Sequence, residues 1–171
     1  MSDPDLAEQF ENIQYIWKMQ FEKDTQLSLL NSFKNEQNNP QSLKEDIFQQ
    51  LDKCGNSVIL KNPIDIAQLN LAFIMYKINR FSIWNLLIFD DTLSSEKIEV
   101  GSLQLFKKKN ADYGNSFVDF GQIGILVRIV DKLNRILTLT NSKRVCVDDE
   151  PLVDCYRDLY NYSILYVLDG I

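Results

Sequence analysis

Apolar residues recur every three or four positions along this chain, with short polar interruptions between runs. That spacing predicts helices. Leu6, Phe10, Ile13, Tyr15, Ile16, Trp17, Phe21, Leu27, Leu29, Leu30 and Phe33, with spacings of three and four dominant, trace one amphipathic helix, with a break expected near Lys23-Asp24-Thr25. Ser2-Asp3-Pro4-Asp5 supplies a small polar cap, a first-turn proline and early acids. Asn35 to Gln41 is polar, contains Pro40 and reads as a linker. Ser42-Leu43-Lys44-Glu45 has the form of a capping box, opening a short helix to Lys53 that Cys54-Gly55-Asn56-Ser57 ends. Asn62-Pro63 opens the next helix. From Ile64 to Phe89 nearly every face is apolar, which predicts a central core helix or one covered by a partner. Lys77 and Arg80 interrupt it, either snorkelling at its edge or pointing into a site.

Asp90 to Ser95 reads as a loop, with Ser95 capping a helix from Glu96 to Lys109. Asp112 to Ser116 is a turn, and Phe117 to Gly121 is short and mixed. Gly124 to Leu139 carries a wide apolar stripe of Ile125, Leu126, Ile129, Val130, Leu133, Ile136 and Leu137. After a loop with room for a small extended piece at Arg144 to Val147, a last helix starts at Asp149-Glu150-Pro151 and runs to Leu168. No strand run stands out. The fold class is therefore mainly α: a helical bundle of about five to seven helices with no substantial sheet. Residues 1–40 read as an N-terminal helical arm and residues 41–171 as a helical domain with a charged site region at 109–161. The arm and the greasy 64–89 segment are compatible with a homo-oligomer.

Composition narrows the chemistry. The 171 residues hold 24 acidic and 18 basic side chains, a net charge of −6, which disfavours nonspecific nucleic-acid binding. Histidine is absent, and Cys54, Cys146 and Cys155 share no ligand spacing. Zinc sites built on Cys and His, and imidazole acid–base catalysis, are thereby excluded, leaving a hard, oxygen-bound ion such as Mg²⁺ as the candidate metal. Three scattered cysteines, no signal segment and no membrane-length apolar run place the expected location in the cytoplasm, the host's if the protein is viral.

Charges at helical spacing mark the site region. Glu150, Asp154 and Asp158 fall at i, i+4 and i+8, with Asn161 near the same face. Like charges so arranged repel and call for cations, whether Mg²⁺ or basic side chains. Such carboxylates can hold Mg²⁺ and orient a water for phosphate chemistry, or can form a plain solvated or salt-bridged face. Arg128, Lys132 and Arg135 fall at i, i+4 and i+7 on the preceding helix. If the two helices run antiparallel, these stripes face one another, as an ion-pair ladder or as a cleft holding phosphates. Lys109, Asp112 and Tyr113 form a third part ahead of Gly114, either a plain helix stop with Asp112 capping and Tyr113 plugging the core, or the end of a site in which Lys109 holds a phosphate and Tyr113 meets a base or sugar.

The ordered set Lys109-x-x-Asp112-Tyr113-Gly114-x-Ser116-Phe117, then Gly124-Ile125-x-x-Arg128-x-x-Asp131-Lys132-x-x-Arg135, then Asp149-Glu150-x-x-x-Asp154-x-x-x-Asp158-Leu159-x-Asn161-Tyr162 resembles the nucleotide modification associated domain family. This family, also called domain of unknown function 1599, is common in bacteriophages. The resemblance covers roughly residues 95–169 and implies a nucleotide-related role. Pro151 stands where a small polar residue often follows the glutamate, and Cys155 where threonine is usual. The chain also looks distantly like all-α nucleotide pyrophosphatases of the MazG and dUTPase type, but has Arg and Lys where their first Glu-x-x-Glu pair belongs.

These readings converge on a nucleotide-binding or nucleotide-processing helical domain of phage type whose partner is a nucleotide or another phosphorylated small molecule. As an enzyme it would be a Mg-dependent nucleotide phosphohydrolase, with Glu150, Asp154 and Asp158 as catalytic and metal-binding groups. Lys109, Asp112, Tyr113, Arg128, Lys132, Arg135 and Asn161 would then bind the ligand. The alternatives are a non-enzymatic sponge for a nucleotide signal, and a structural interaction module.

Overall fold

The computed structural model describes residues 3–26, 39–60, 65–113, 116–141 and 150–169. Six helices make up nearly all of it: α1 (Asp3–Gln26), α2 (Pro40–Leu60), α3 (Asp65–Phe89), α4 (Ser95–Tyr113), α5 (Ser116–Asn141) and α6 (Glu150–Asp169). No strand occurs among the described residues, so the mainly α reading holds. The caps expected at Ser2, Asn62 and Asp149, and the extended piece at 144–147, lie outside the described residues.

Three boundaries differ from the local reading. α2 starts two residues before the Ser42 box, because Asn39 is its cap. The Asn39 Oδ1 accepts the Ser42 N–H at 2.7 Å, and Pro40 fills the first helical position, where its missing N–H costs nothing. α2 then continues through Gly55 to Leu60 instead of ending at Lys53. At α4 the cap is Ser94, not Ser95. Its Oγ accepts the Lys97 N–H at 3.2 Å. The turn ahead of it is closed by Asp90, whose Oδ1 accepts the Thr92 hydroxyl at 2.6 Å and the Thr92 N–H at 2.9 Å. These two bonds, the hydroxyl foremost, hold the Asp90 carboxyl below its ordinary pKa.

α5 absorbs the segment read as short and mixed, but is broken at Gly121, where φ is 61° and ψ is −172°. That region of backbone space is essentially reserved for glycine. A Cβ there would meet nothing closer than Asp169 Oδ2 at 3.9 Å, so the backbone angle and not space selects the residue.

The centre of the bundle is α6, which packs along α3 and α5 and touches α1 and α4. Tyr156, Leu159, Tyr160 and Ile164, spaced at three and four, are all buried on it. α3, expected as a central helix or one covered by a partner, makes its main packing against α6. It packs on α2 and α6 and leaves Phe73, Trp84 and Ile88 more than half exposed. α1 buries Leu6, Phe10, Ile13 and Trp17, and Phe10 stacks on Phe106 of α4 with ring centroids 4.6 Å apart. The first helix is thus packed into the core.

Lys77 behaves as an edge residue. Its Nζ pairs with Asp46 Oδ2 of α2 at 3.2 Å and lies over the Phe73 ring. Arg80 turns inward and is 8% exposed.

Candidate functional site

α5 and α6 are antiparallel neighbours. Lys132 meets Asp158, Gln122 donates to the Tyr166 carbonyl at 3.0 Å, and Gly121 lies beside Asp169. As one number falls the other rises, and the two helices keep a single register across more than two turns. The expected opposition of basic and acidic stripes therefore occurs, at one rung. Lys132 Nζ lies 2.8 Å from Asp158 Oδ2, with both side chains about three-quarters or more covered. The hydrogen bond from Lys132 to Asp158 raises the lysine pKa against the opposing effect of burial.

The other stripe members whose side chains are described stay apart. Arg128 and Arg135 are exposed and make no ion pair among the described residues. Asp154 is exposed, and its contact is within its own helix, to Arg157 Nη1 at 3.8 Å, a weak surface pair. Arg128 precedes Lys132 by four residues and Arg135 follows it by three, so the Lys132–Asp158 pair is flanked one turn away on each side by an uncommitted guanidinium.

Cys155 sits under this rung. Its thiol is buried, which pushes its pKa up, while Lys132 and Arg135 pull it down. Asn161 is half-buried, and its Oδ1 is covered with no hydrogen-bond partner. Among the described residues no donor reaches this acceptor. Lys109 is exposed near the end of α4. Asp112 and Tyr113 fall in the last turn of α4, and Glu150 is the first residue of α6. The side chains of these three lie outside the described residues. Among the described residues no group of three acidic or thiol side chains is arranged to hold a metal ion.

A second polar grouping escaped the sequence reading. On the far side of α6, Gln14 Nε2 of α1 donates to the Tyr160 hydroxyl at 2.8 Å and to the Glu99 carbonyl of α4 at 2.9 Å. Asn79 of α3 donates to Ser163 Oγ at 3.2 Å. None of these polar residues belongs to a recognisable motif. The signal was present, but spread over four helices that share no sequence neighbourhood.

The residues of the stripes fall within a segment that is similar to a known family. Residues 109–169 match the family model of nucleotide modification associated domain 1. The matched segment takes in the end of α4 and the whole of α5 and α6, including the Lys132–Asp158 rung and its flanking arginines. No curated protein and no solved structure matches the chain. No helix among the described residues is long and apolar enough to cross a membrane.

Proposed function

We propose that the α5–α6 face binds a nucleotide through its phosphates. Arg128 and Arg135 carry this reading: two exposed guanidinium groups, without ion pairs among the described residues, one turn either side of a lysine already neutralised by its partner. Guanidinium forks match phosphate oxygens, and an incoming phosphate would draw Lys132 from Asp158 to make a third contact. Lys109, exposed near the end of α4, is proposed as a further phosphate ligand. Asp112, Tyr113 and Asn161 would contact sugar and base, with the orphaned Asn161 Oδ1 accepting from a ligand donor. The description of the matched family, a domain associated with nucleotide modification, agrees with this class of ligand.

In the catalytic form of this proposal, Lys132 leaves Asp158 when ligand binds, freeing that carboxylate to join Asp154 and Glu150 around Mg²⁺. The bound ion would activate water for attack on a phosphate. The 2.8 Å hold of Lys132 on Asp158 favours the other form, binding without turnover, because it occupies the carboxylate a metal would need. Thermal denaturation against nucleoside mono-, di- and triphosphates, with and without Mg²⁺, combined with phosphate-release measurements, tests both. A melting-temperature rise that Arg128→Glu or Arg135→Glu abolishes, without loss of basal stability, supports the binding face. Release of phosphate that requires Mg²⁺ and Asp158 selects the enzyme. Absence of any nucleotide effect on melting overturns the proposal.

A further inference from the structure

The outward stripe of α3 is apolar along most of its length. Phe73, Trp84 and Ile88 are 57%, 54% and 62% exposed, and the half-buried Lys77 lies among them. At about 100° and 1.5 Å per residue, these four positions fall within about 60° of arc and span about 22 Å of helix. Single exposed apolar residues are ordinary on a protein surface, but a row of them marks a contact. Taking about 150–250 Å² for a whole large side chain, the three apolar members leave on the order of 350 Å² open. Two features point to a second copy of this chain as the cover. The first is charge. The chain carries −6 overall, so copies repel, yet no acidic residue occurs from 66 to 89. Lys77 is already matched by Asp46 of α2 at 3.2 Å, and covering a matched pair leaves no lone charge. The shorter exposed apolar runs elsewhere have acids beside them: Tyr15 and Ile16 of α1 lie near Glu11, and Val127 of α5 near Asp131.

The second feature is spacing. Phe73 and Ile88 stand equally far from the point between Arg80 and Phe81, and so do Lys77 and Trp84. A two-fold axis at that point lays Phe73 against Ile88 of the partner subunit and Lys77 against Trp84 of the partner subunit. A two-fold interface requires this self-complementarity, residue i meeting j as j meets i. We propose that the chain forms a two-fold dimer in which the two α3 helices pack antiparallel through this stripe. The Lys77 ammonium already lies 5.4 Å from the Phe73 ring centre, and the partner's Trp84 adds a second aromatic face to it. Phe73, Trp84 and Ile88 of both copies cover about 700 Å², and the half-buried Phe81 and Leu87 beside them bring the total to about 1,000 Å². That is the lower end for a specific interface, so the dimer is a weak one, with a dissociation constant of about 10–100 µM. No residue of α5 or α6 enters it, and it is independent of the nucleotide reading.

Sedimentation of the full chain across about 1–500 µM, a range that brackets the expected constant, tests this. The parent is expected to pass from monomer to dimer as concentration rises. Trp84→Glu, at an exposed position, is expected to weaken the dimer at least about tenfold while leaving the circular dichroism of the monomer unchanged. If Trp84→Glu does not fold, Ile88→Lys serves in its place. Ile123→Glu, on an equally exposed position of α5, is expected to leave the dimer intact. The register has its own test. Phe73→Glu and Ile88→Lys each separate the copies when made alone, whereas the double variant Phe73→Glu, Ile88→Lys regains dimer, because each new acid meets a new lysine across the axis. Within one chain those two positions are about 22 Å apart and cannot pair. A parent that stays monomeric at every concentration overturns the proposal. So does a dimer that survives Trp84→Glu or Ile88→Lys, one lost in Ile123→Glu, or a double variant no more dimeric than the single ones.

Discussion

Lys132 is the residue on which the electrostatics of the α5–α6 seam turn. Its pKa in the folded chain is raised above the ordinary lysine value of 10.5, chiefly because Asp158 accepts its hydrogen bond. A raised folded value means that the ionised lysine stabilises the fold at every pH below 10.5 and that this contribution is lost as pH climbs through the folded value. A double-mutant cycle with Lys132→Met and Asp158→Asn is expected to give a coupling of about 1 kcal/mol at neutral pH, the upper end for a partly covered pair. The coupling should vanish in strongly alkaline buffer. Chemical denaturation of the four variants at two pH values measures it, and an unchanged coupling at high pH would contradict the assignment. The residue types of this site were legible in the sequence: Arg128, Lys132, Arg135, Asp154, Asp158 and Asn161 all stand at helical spacing. That a single rung would close was not, because rotation of each helix about its axis decides which side chains meet.

At the scale of elements, hydrophobic period located every helix, and errors gathered at the ends. Asn39 and Ser42, or Ser94 and Ser95, offer the same capping chemistry a few residues apart, and local sequence gives no means of choosing between them. Gly121 shows the reverse case. Gly121 ends a segment that reads locally as short and mixed, yet it holds a conformation other residues reach only under strain. Gly121→Ala is expected to cost about 1–3 kcal/mol, because the strain is in the backbone while the space is free. Equilibrium unfolding measures it. A loss no larger than that of Gly101→Ala, an exposed helical glycine with nothing within 4 Å, would show that the kink relaxes freely.

Over the whole molecule, burial follows α6 outward. α1 contributes Phe10, fully buried against Phe106, and Gln14, bonded to Tyr160 at the centre. Phe10→Ala is therefore expected to destabilise the entire bundle, by about 3–5 kcal/mol, and to do so in a single cooperative transition. Calorimetry or far- and near-ultraviolet circular dichroism followed together provides the check. Loss of α1 alone, with the remainder melting as in the parent, would show that the first helix is an independent appendage.

By itself the sequence determined that this chain is a bundle of helices, where most of them lie, that its chemistry excludes histidine, and that its charges concentrate on the last two long helices. These properties follow from residue type and spacing along one axis, which the chain carries wherever it folds. Tertiary structure decided that α6 is the centre, that Lys132 and Asp158 close while Arg128 and Arg135 make no ion pair among the described residues, and that Arg80 is drawn inside. Each depends on which faces of separate helices are turned toward one another, and that choice is made by the packing of the whole core.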